Sequence, residues 1–122
     1  MVENRIESFE QLIVWQESQN LAVSIYKITK TYPKEELFAL TSQLRRAASS
    51  ISANIAEGFG RRTNNDKLHF YTMSYGSLLE VKNFIYLSEK LDYISSADLE
   101  RILLEIVSCQ KLINASKKYL QP

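Results

Sequence analysis

The chain is short of the residues that interrupt helices. Its 122 residues include three glycines and two prolines, which excludes the many tight turns an all-β domain requires. A single cysteine, Cys109, excludes an internal disulfide and suits a reducing compartment. The lone histidine, His69, has no cysteine or paired acids around it at ligand spacing, so no metal site is expected. Asp-x-x-His occurs once, at Asp66 and His69, and Glu-x-x-His is missing, which argues against a di-iron bundle. Glycine-rich phosphate loops are lacking, and Ser49, Ser50 and Ser52 have no base at hand. No run approaches the ~18 unbroken apolar residues of a membrane span. The stretch from Met1 to Glu10 is polar and acidic, without the apolar centre of a signal peptide. These absences lead to the expectation of a cytoplasmic, non-enzymatic protein with no cofactor, no membrane contact and no small-molecule substrate. Fifteen Lys and Arg against fourteen Asp and Glu leave a formal charge of +1. Attraction of nucleic acid by bulk charge is thereby excluded, and any such binding must rest on local clusters.

What is present fits one helical domain spanning residues 1–122, a size that buries enough apolar surface to fold without disulfides or metal. Thr31-Tyr32-Pro33 makes the first break, since proline restricts itself and the residue before it. Gly58-Phe59-Gly60 makes the second, read as a helix C-cap. Leu91 to Ser95 makes the third, after which Ser95 or Ser96 caps the last helix, with Asp98 and Glu100 at the positive end of its dipole. The predicted helices cover about residues 9–30, 34–57, 65–91 and 96–120. Leu37, Leu40, Leu44, Ala48, Ile51 and Ile55 recur at steps of three and four, as do Leu99, Ile102, Ile106, Cys109, Ile113, Ser116 and Leu120. That spacing places each set on one helix face. Short connections make neighbours antiparallel, so the expected fold is an up-down-up-down four-helix bundle.

Two helices are apolar over a wider arc than one core needs. In the first, Val14, Leu21, Ile25 and Ile28 share a side with Trp15, Ala22 and Tyr26, and Leu12 and Val23 extend the arc to roughly 220°. The third carries two seams: Leu68, Tyr71, Tyr75, Leu78 and Ile85, and Phe70, Ser74, Ser77, Val81, Phe84, Ser88 and Leu91. Both arcs lead to the expectation of a symmetric homo-oligomer, with these faces supplying the contact.

The segment from Gln43 to Arg62 concentrates the basic charge. Arg45-Arg46 and Arg61-Arg62 face one acid, Glu57, across a run of small residues that lets helices approach closely. Two readings stay open for the arginines. They contact the phosphates of RNA or DNA through their planar forks, or they pair with acids and cap carbonyls within the bundle. Arg45 and Gly58 lie about 20 Å apart along a helix, so one subunit does not form one tight patch, although a ring of subunits would repeat each pair as a band. Asn54 and Glu57 sit among apolar and small residues, where polar side chains set register or assembly state. Glu80 is placed either in solvent or across the bundle from Arg45, Arg46 or Asn54. Cys109 falls on the seam of the last helix as a small buried group, and the seven tyrosines read as core and interface residues more than as base-stacking platforms.

Three strings resemble a known family. They are Phe9-Glu10-Gln11-Leu12-Ile13-Val14-Trp15-Gln16, the run from Gln43-Leu44-Arg45-Arg46-Ala47-Ala48 to Asn54-Ile55-Ala56-Glu57-Gly58, and Gly76-Ser77-Leu78-x-Glu80. The chain is similar to the bacterial four-helix-bundle proteins first named for being encoded in intervening sequences of large-subunit ribosomal RNA genes. It is also similar to the accessory variability determinant proteins of diversity-generating retroelements. The resemblance implies a left-handed four-helix bundle and a homopentameric, barrel-like ring. Retroelement relatives bind nucleic acid and a reverse transcriptase through a positively charged surface, which on this chain points to Arg45, Arg46, Arg61 and Arg62. For the ribosomal members no biochemical activity is settled. Ala39 and Asp92 depart from the pattern, standing where relatives often carry glycine.

Overall fold

A computed structural model describes residues 5–122; the start of the polar N-terminal stretch, Met1 to Asn4, lies outside the described residues. Four helices carry the fold: α1 (Ile13–Thr29), α2 (Leu40–Phe59), α3 (Asn64–Lys90) and α4 (Ser96–Leu120). Among the described residues there is no strand. Each helix packs on its neighbours in sequence, and α1 closes the ring against α4. The contacts run in opposite directions along each pair of consecutive helices. Arg45 meets Thr29 and Ser52 meets Gln19 between α1 and α2; Ser77 meets Ser50 and Tyr71 meets Gly58 between α2 and α3. Ser96 meets Glu89 and Gln110 meets Tyr75 between α3 and α4. The neighbours are therefore antiparallel, as their short connections require.

The predicted seams form the core. Leu44, Ala48, Ile51 and Ile55 of α2 and Ile102, Ile106, Cys109 and Ile113 of α4 are buried, with Leu21, Ile25, Leu78 and Ile85 from the other two helices. Burying each large aliphatic side chain contributes ~1.5–3 kcal/mol. Leu37 is the exception in its series, because α2 starts only at Leu40. After Pro33 the chain makes a 3-10 turn at Lys34–Glu36, leaving Leu37 and Phe38 exposed. Glu36 closes this corner: its carboxylate accepts from the Leu40 N–H at 3.3 Å and from the Tyr93 hydroxyl at 2.7 Å. One side chain thus caps α2 and ties the first connection to the last.

The first helix is also shorter than its pattern. Phe9–Gln11 forms a separate 3-10 turn, and Leu12 is extended at φ −75° and ψ 126°. The Gln11 side chain accepts from the Glu7 and Ser8 N–H groups at 2.7 and 3.1 Å, and the Phe9 ring packs edge-on to Trp15 at 5.2 Å. Local hydrogen bonds and one aromatic pair hold this turn off the helix axis.

Within the Gly58-Phe59-Gly60 break the C-cap is the second glycine. Helix α2 continues through Gly58 to Phe59, and Gly60 takes the cap, its N–H reaching the Ala56 and Glu57 carbonyls. Gly58 is instead a point of close approach, where a Cβ would meet Tyr71 Cε1 at 2.8 Å and Phe70 Cβ at 3.0 Å. The turn between α3 and α4 does use a left-handed residue. Tyr93 N–H bonds to Ser88 C=O at 2.9 Å and Asp92 N–H to Glu89 C=O at 3.0 Å, with Asp92 at φ 63°. This is the Schellman geometry, which favours glycine. Ser95 then caps α4, accepting from Asp98 N–H at 3.0 Å.

Apart from Leu91 at its end, which is 44% exposed, both seams of α3 are consumed inside the chain. Ser74 Oγ donates to the Ile51 carbonyl at 2.8 Å and Ser77 Oγ to Ser50 Oγ at 3.0 Å, while Val81 and Ser88 are also buried. These small side chains bring α3 close to α2, so the second seam faces that neighbour and not a partner outside the chain. The expectation of a free second face on α3 is corrected accordingly. The wide arc of α1 is partly covered: Trp15, Ala22 and Ile28 pack on the core, but Val23 and Tyr26 stay about half exposed.

Candidate nucleic-acid interface

The four arginines do not converge, and they do not share one role. Arg45 lies against α1, with Nε donating to Thr29 Oγ1 at 2.9 Å, Nη2 to the Tyr26 carbonyl at 3.4 Å, and its guanidinium 4.8 Å from the Tyr26 ring centre. That group is a tie between helices with little left to offer a phosphate. Arg61 is similarly engaged, over the Phe70 ring at 4.4 Å and 3.5 Å from Glu57. By contrast, Arg46 is exposed and only loosely paired with Glu80 at 4.0 Å. Arg62 is exposed, and among the described residues no acid lies within ion-pair distance of it. Pairs so exposed contribute little to stability, so Arg46 and Arg62 are the available cations of the four.

The three polar residues singled out from the sequence also differ. Asn54 donates to the Ser50 carbonyl and hydroxyl at 2.9 and 3.0 Å, within its own helix. It therefore sets no register across helices. Glu57 pairs with Arg61 just past the end of α2, and Glu80 reaches across from α3 to Arg46. The polar contacts across helices are made instead by Ser74 and Ser77 of α3, which reach α2, and by exposed Gln19, whose Nε2 donates to the buried Ser52 Oγ at 2.9 Å. Serine at a seam position was the only signal for them, and it reads equally well as a gap in an apolar stripe.

Two features appear only when the helices are assembled. The end where α2 stops, α3 starts and α4 stops collects Arg61, Arg62, Lys67, Lys117 and Lys118, against Glu57 and Asp66, and the stretch before α1 adds Arg5, Glu7 and Glu10. Lys67 Nζ donates to the Phe59 carbonyl at 2.6 Å, and Lys117 sits 5.2 Å from the Tyr75 ring centre. Arg62 and Lys118 remain exposed there. The same end opens into an apolar cavity of about 660 Å³ between all four helices.

Elsewhere the side chains with reactive potential are spent. Cys109 is buried, and desolvation pushes its thiol up from 9.0 to about 11, so it stays protonated and inert. Burial likewise raises the Tyr71 hydroxyl. His69 is exposed, its ring edge-on to Phe70 at 5.5 Å. Among the described residues no group of three or more potential metal ligands forms, and no helix is long and apolar enough to cross a membrane.

The profile of the 23S rRNA-intervening sequence protein family matches residues 10–115. Among solved structures, the chain is similar to a protein of unknown function from the S23 ribosomal protein family of Bacteroides thetaiotaomicron VPI-5482. That likeness has a TM-score of 0.80 at 23% identity and covers 87% of this chain and 99% of the other. At that identity it speaks to the fold alone. No curated protein matches the chain.

Proposed function

The chain belongs to the 23S rRNA-intervening sequence protein family, and from that premise we propose that it works without catalysis, as a self-assembling bundle whose functional unit is a closed ring of copies. A pentamer is the expected ring. The observation that carries this reading is Gly76. It lies in the interior of the 27-residue α3 and is exposed, with nothing within 4 Å of where a Cβ would stand. A glycine there costs ~0.5–1 kcal/mol relative to alanine, and nothing inside the chain offsets it. Close approach of another copy's backbone does. Met73 and Leu79, about one turn to either side of the glycine, are 38% and 44% exposed, and Leu87, about three turns beyond the glycine, is 41% exposed, which supplies apolar surface along this face.

Size-exclusion chromatography with light scattering tests the proposal. The expected result is a single oligomer at micromolar concentration for the native chain and a smaller, still helical species for Gly76→Leu. A native chain that is monomeric under those conditions sinks it.

A second reading, association with RNA or DNA, rests on Arg62 and Lys118, which stay exposed at the basic end. In an oligomer these cations repeat as a band. Salt-sensitive binding should follow, with log K falling by ~0.7–0.9 per log unit of salt for each phosphate contacted. Arg62→Ala with Lys118→Ala should flatten that slope, while an absence of RNA or DNA binding at low salt removes the reading. One native mass measurement with and without RNA reports both readings together.

A further inference from the structure

The cavity at the basic end is made by residues far apart in sequence. Its walls come from Leu12 and Val14 beside the start of α1, Phe59 at the end of α2, Tyr71 on α3, and Leu112 and Leu120 on α4. At about 660 Å³ it falls within the ~300–1,000 Å³ range of small-molecule sites. One charged side chain lines it, Lys67, and no aspartate or glutamate does. The Phe59 carbonyl accepts one of the lysine's N–H groups at 2.6 Å, which holds the ammonium at the wall with its remaining donors free. The ammonium is therefore preorganised beside apolar surface, and no lining acid competes for it.

We propose that this cavity binds the acyl chain of a free medium-chain fatty acid, with the carboxylate held by Lys67 Nζ. Apolar walls recognise the chain through loss of hydrated surface, and the single cation selects an acid head over a neutral or cationic one. This goes beyond the assembly reading and does not rest on it. The tie between Lys67 and Phe59 also joins α2 to α3, so a bound acid would add its charge to a lysine that already links two helices.

Isothermal titration calorimetry with decanoate, decanol and decyltrimethylammonium tests the site, with light scattering on the same samples. The expected result is saturable 1:1 binding of decanoate, weaker binding of decanol, and none of the cationic amphiphile. Lys67→Met should weaken decanoate about tenfold, the loss expected for one charge-assisted hydrogen bond, and leave decanol unchanged. Ala115→Trp, at an exposed rim position of α4, should abolish decanoate binding without changing helicity. The proposal is overturned if decanoate shows no saturable binding below ~1 mM, in the standard affinity range of a weak ligand, whether the chain is monomeric or assembled. It is equally overturned if all three amphiphiles bind alike, or if neither substitution alters decanoate binding.

Discussion

Replacing Asp92 with glycine should stabilise the fold by about 0.5–1 kcal/mol. Asp92 occupies the left-handed position of the turn that ends α3, at φ 63°. An L-residue there costs ~1–2 kcal/mol, and aspartate is at the lower end of that cost. Glycine removes the strain but restores ~0.4–1 kcal/mol of freedom to the unfolded chain, so the net backbone gain is at most about 0.5 kcal/mol. A second contribution comes from charge, because the carboxylate sits just past the C-terminus of α3, facing the negative end of its dipole at a cost of ~0.3–1 kcal/mol. Asp92→Asn removes only that second part, about 0.5 kcal/mol. Asp92→Val keeps the backbone and adds a β-branched side chain, which that region disfavours. Stability should therefore fall in the order glycine, asparagine, aspartate, valine. For a chain of this length 1 kcal/mol corresponds to ~4 °C in Tm. Urea and thermal unfolding followed by circular dichroism at 222 nm measure the series, at one protein concentration because self-association shifts the midpoint. Added salt should shrink the asparagine gain by screening and leave the remainder of the glycine gain intact. If glycine is no more stable than asparagine, the backbone part of the reasoning is wrong.

At Gly58 the same kind of substitution should act the other way. Gly58→Ala gains ~1 kcal/mol of helix preference but drives a Cβ to 2.8 Å from the Tyr71 ring, an overpacking cost of ~1–3 kcal/mol; chemical denaturation should show a net loss, and a net gain would mean the α2–α3 contact is looser than described. Arg45→Met should lower stability by ~1–2 kcal/mol through its lost bonds to Thr29 and Tyr26, and should leave any nucleic-acid affinity unchanged in a salt titration. Alkaline pH should destabilise the chain. The folded Cys109 thiol is raised from 9.0 to about 11, so the unfolded chain ionises first: stability is full below pH 9 and declines toward pH 11, by about 3 kcal/mol from this group. Raised Tyr32 and Tyr71 hydroxyls extend the decline above pH 10, and Cys109→Ala should flatten the lower part of the profile; an unchanged slope would show that the thiol is not the group responsible.

Much of the bundle was legible from spacing, because a core stripe must repeat at three and four residues whatever it packs against. The seams of α2 and α4, the capping of α4 near Ser95 and the family resemblance all follow from local pattern. The Gly58-Phe59-Gly60 break does hold the C-cap of α2, at Gly60, but the role of the other glycine depends on a distant partner. Local pattern does not say which of the two glycines caps, and only the Tyr71 ring across the α2–α3 contact shows Gly58 to be a packing residue. The second stripe of α3 was misread for the same reason, since a serine does not reveal whether it faces water or a carbonyl such as that of Ile51.

The chemistry divides along the same line. Composition alone excluded a disulfide, and the residue pattern pointed away from a metal site or a phosphate loop, because those need particular residues at particular spacings. It marked four arginines without ranking them, since a guanidinium's availability depends on what else it touches. Tertiary structure committed Arg45 to α1 and Arg61 to Phe70, and left Arg46 and Arg62 exposed. It also created the cavity beside Lys67 from the ends of four helices. Residues from Leu12 to Leu120 meet there only because antiparallel helices return the chain to the same end, a closeness that local periodicity does not encode.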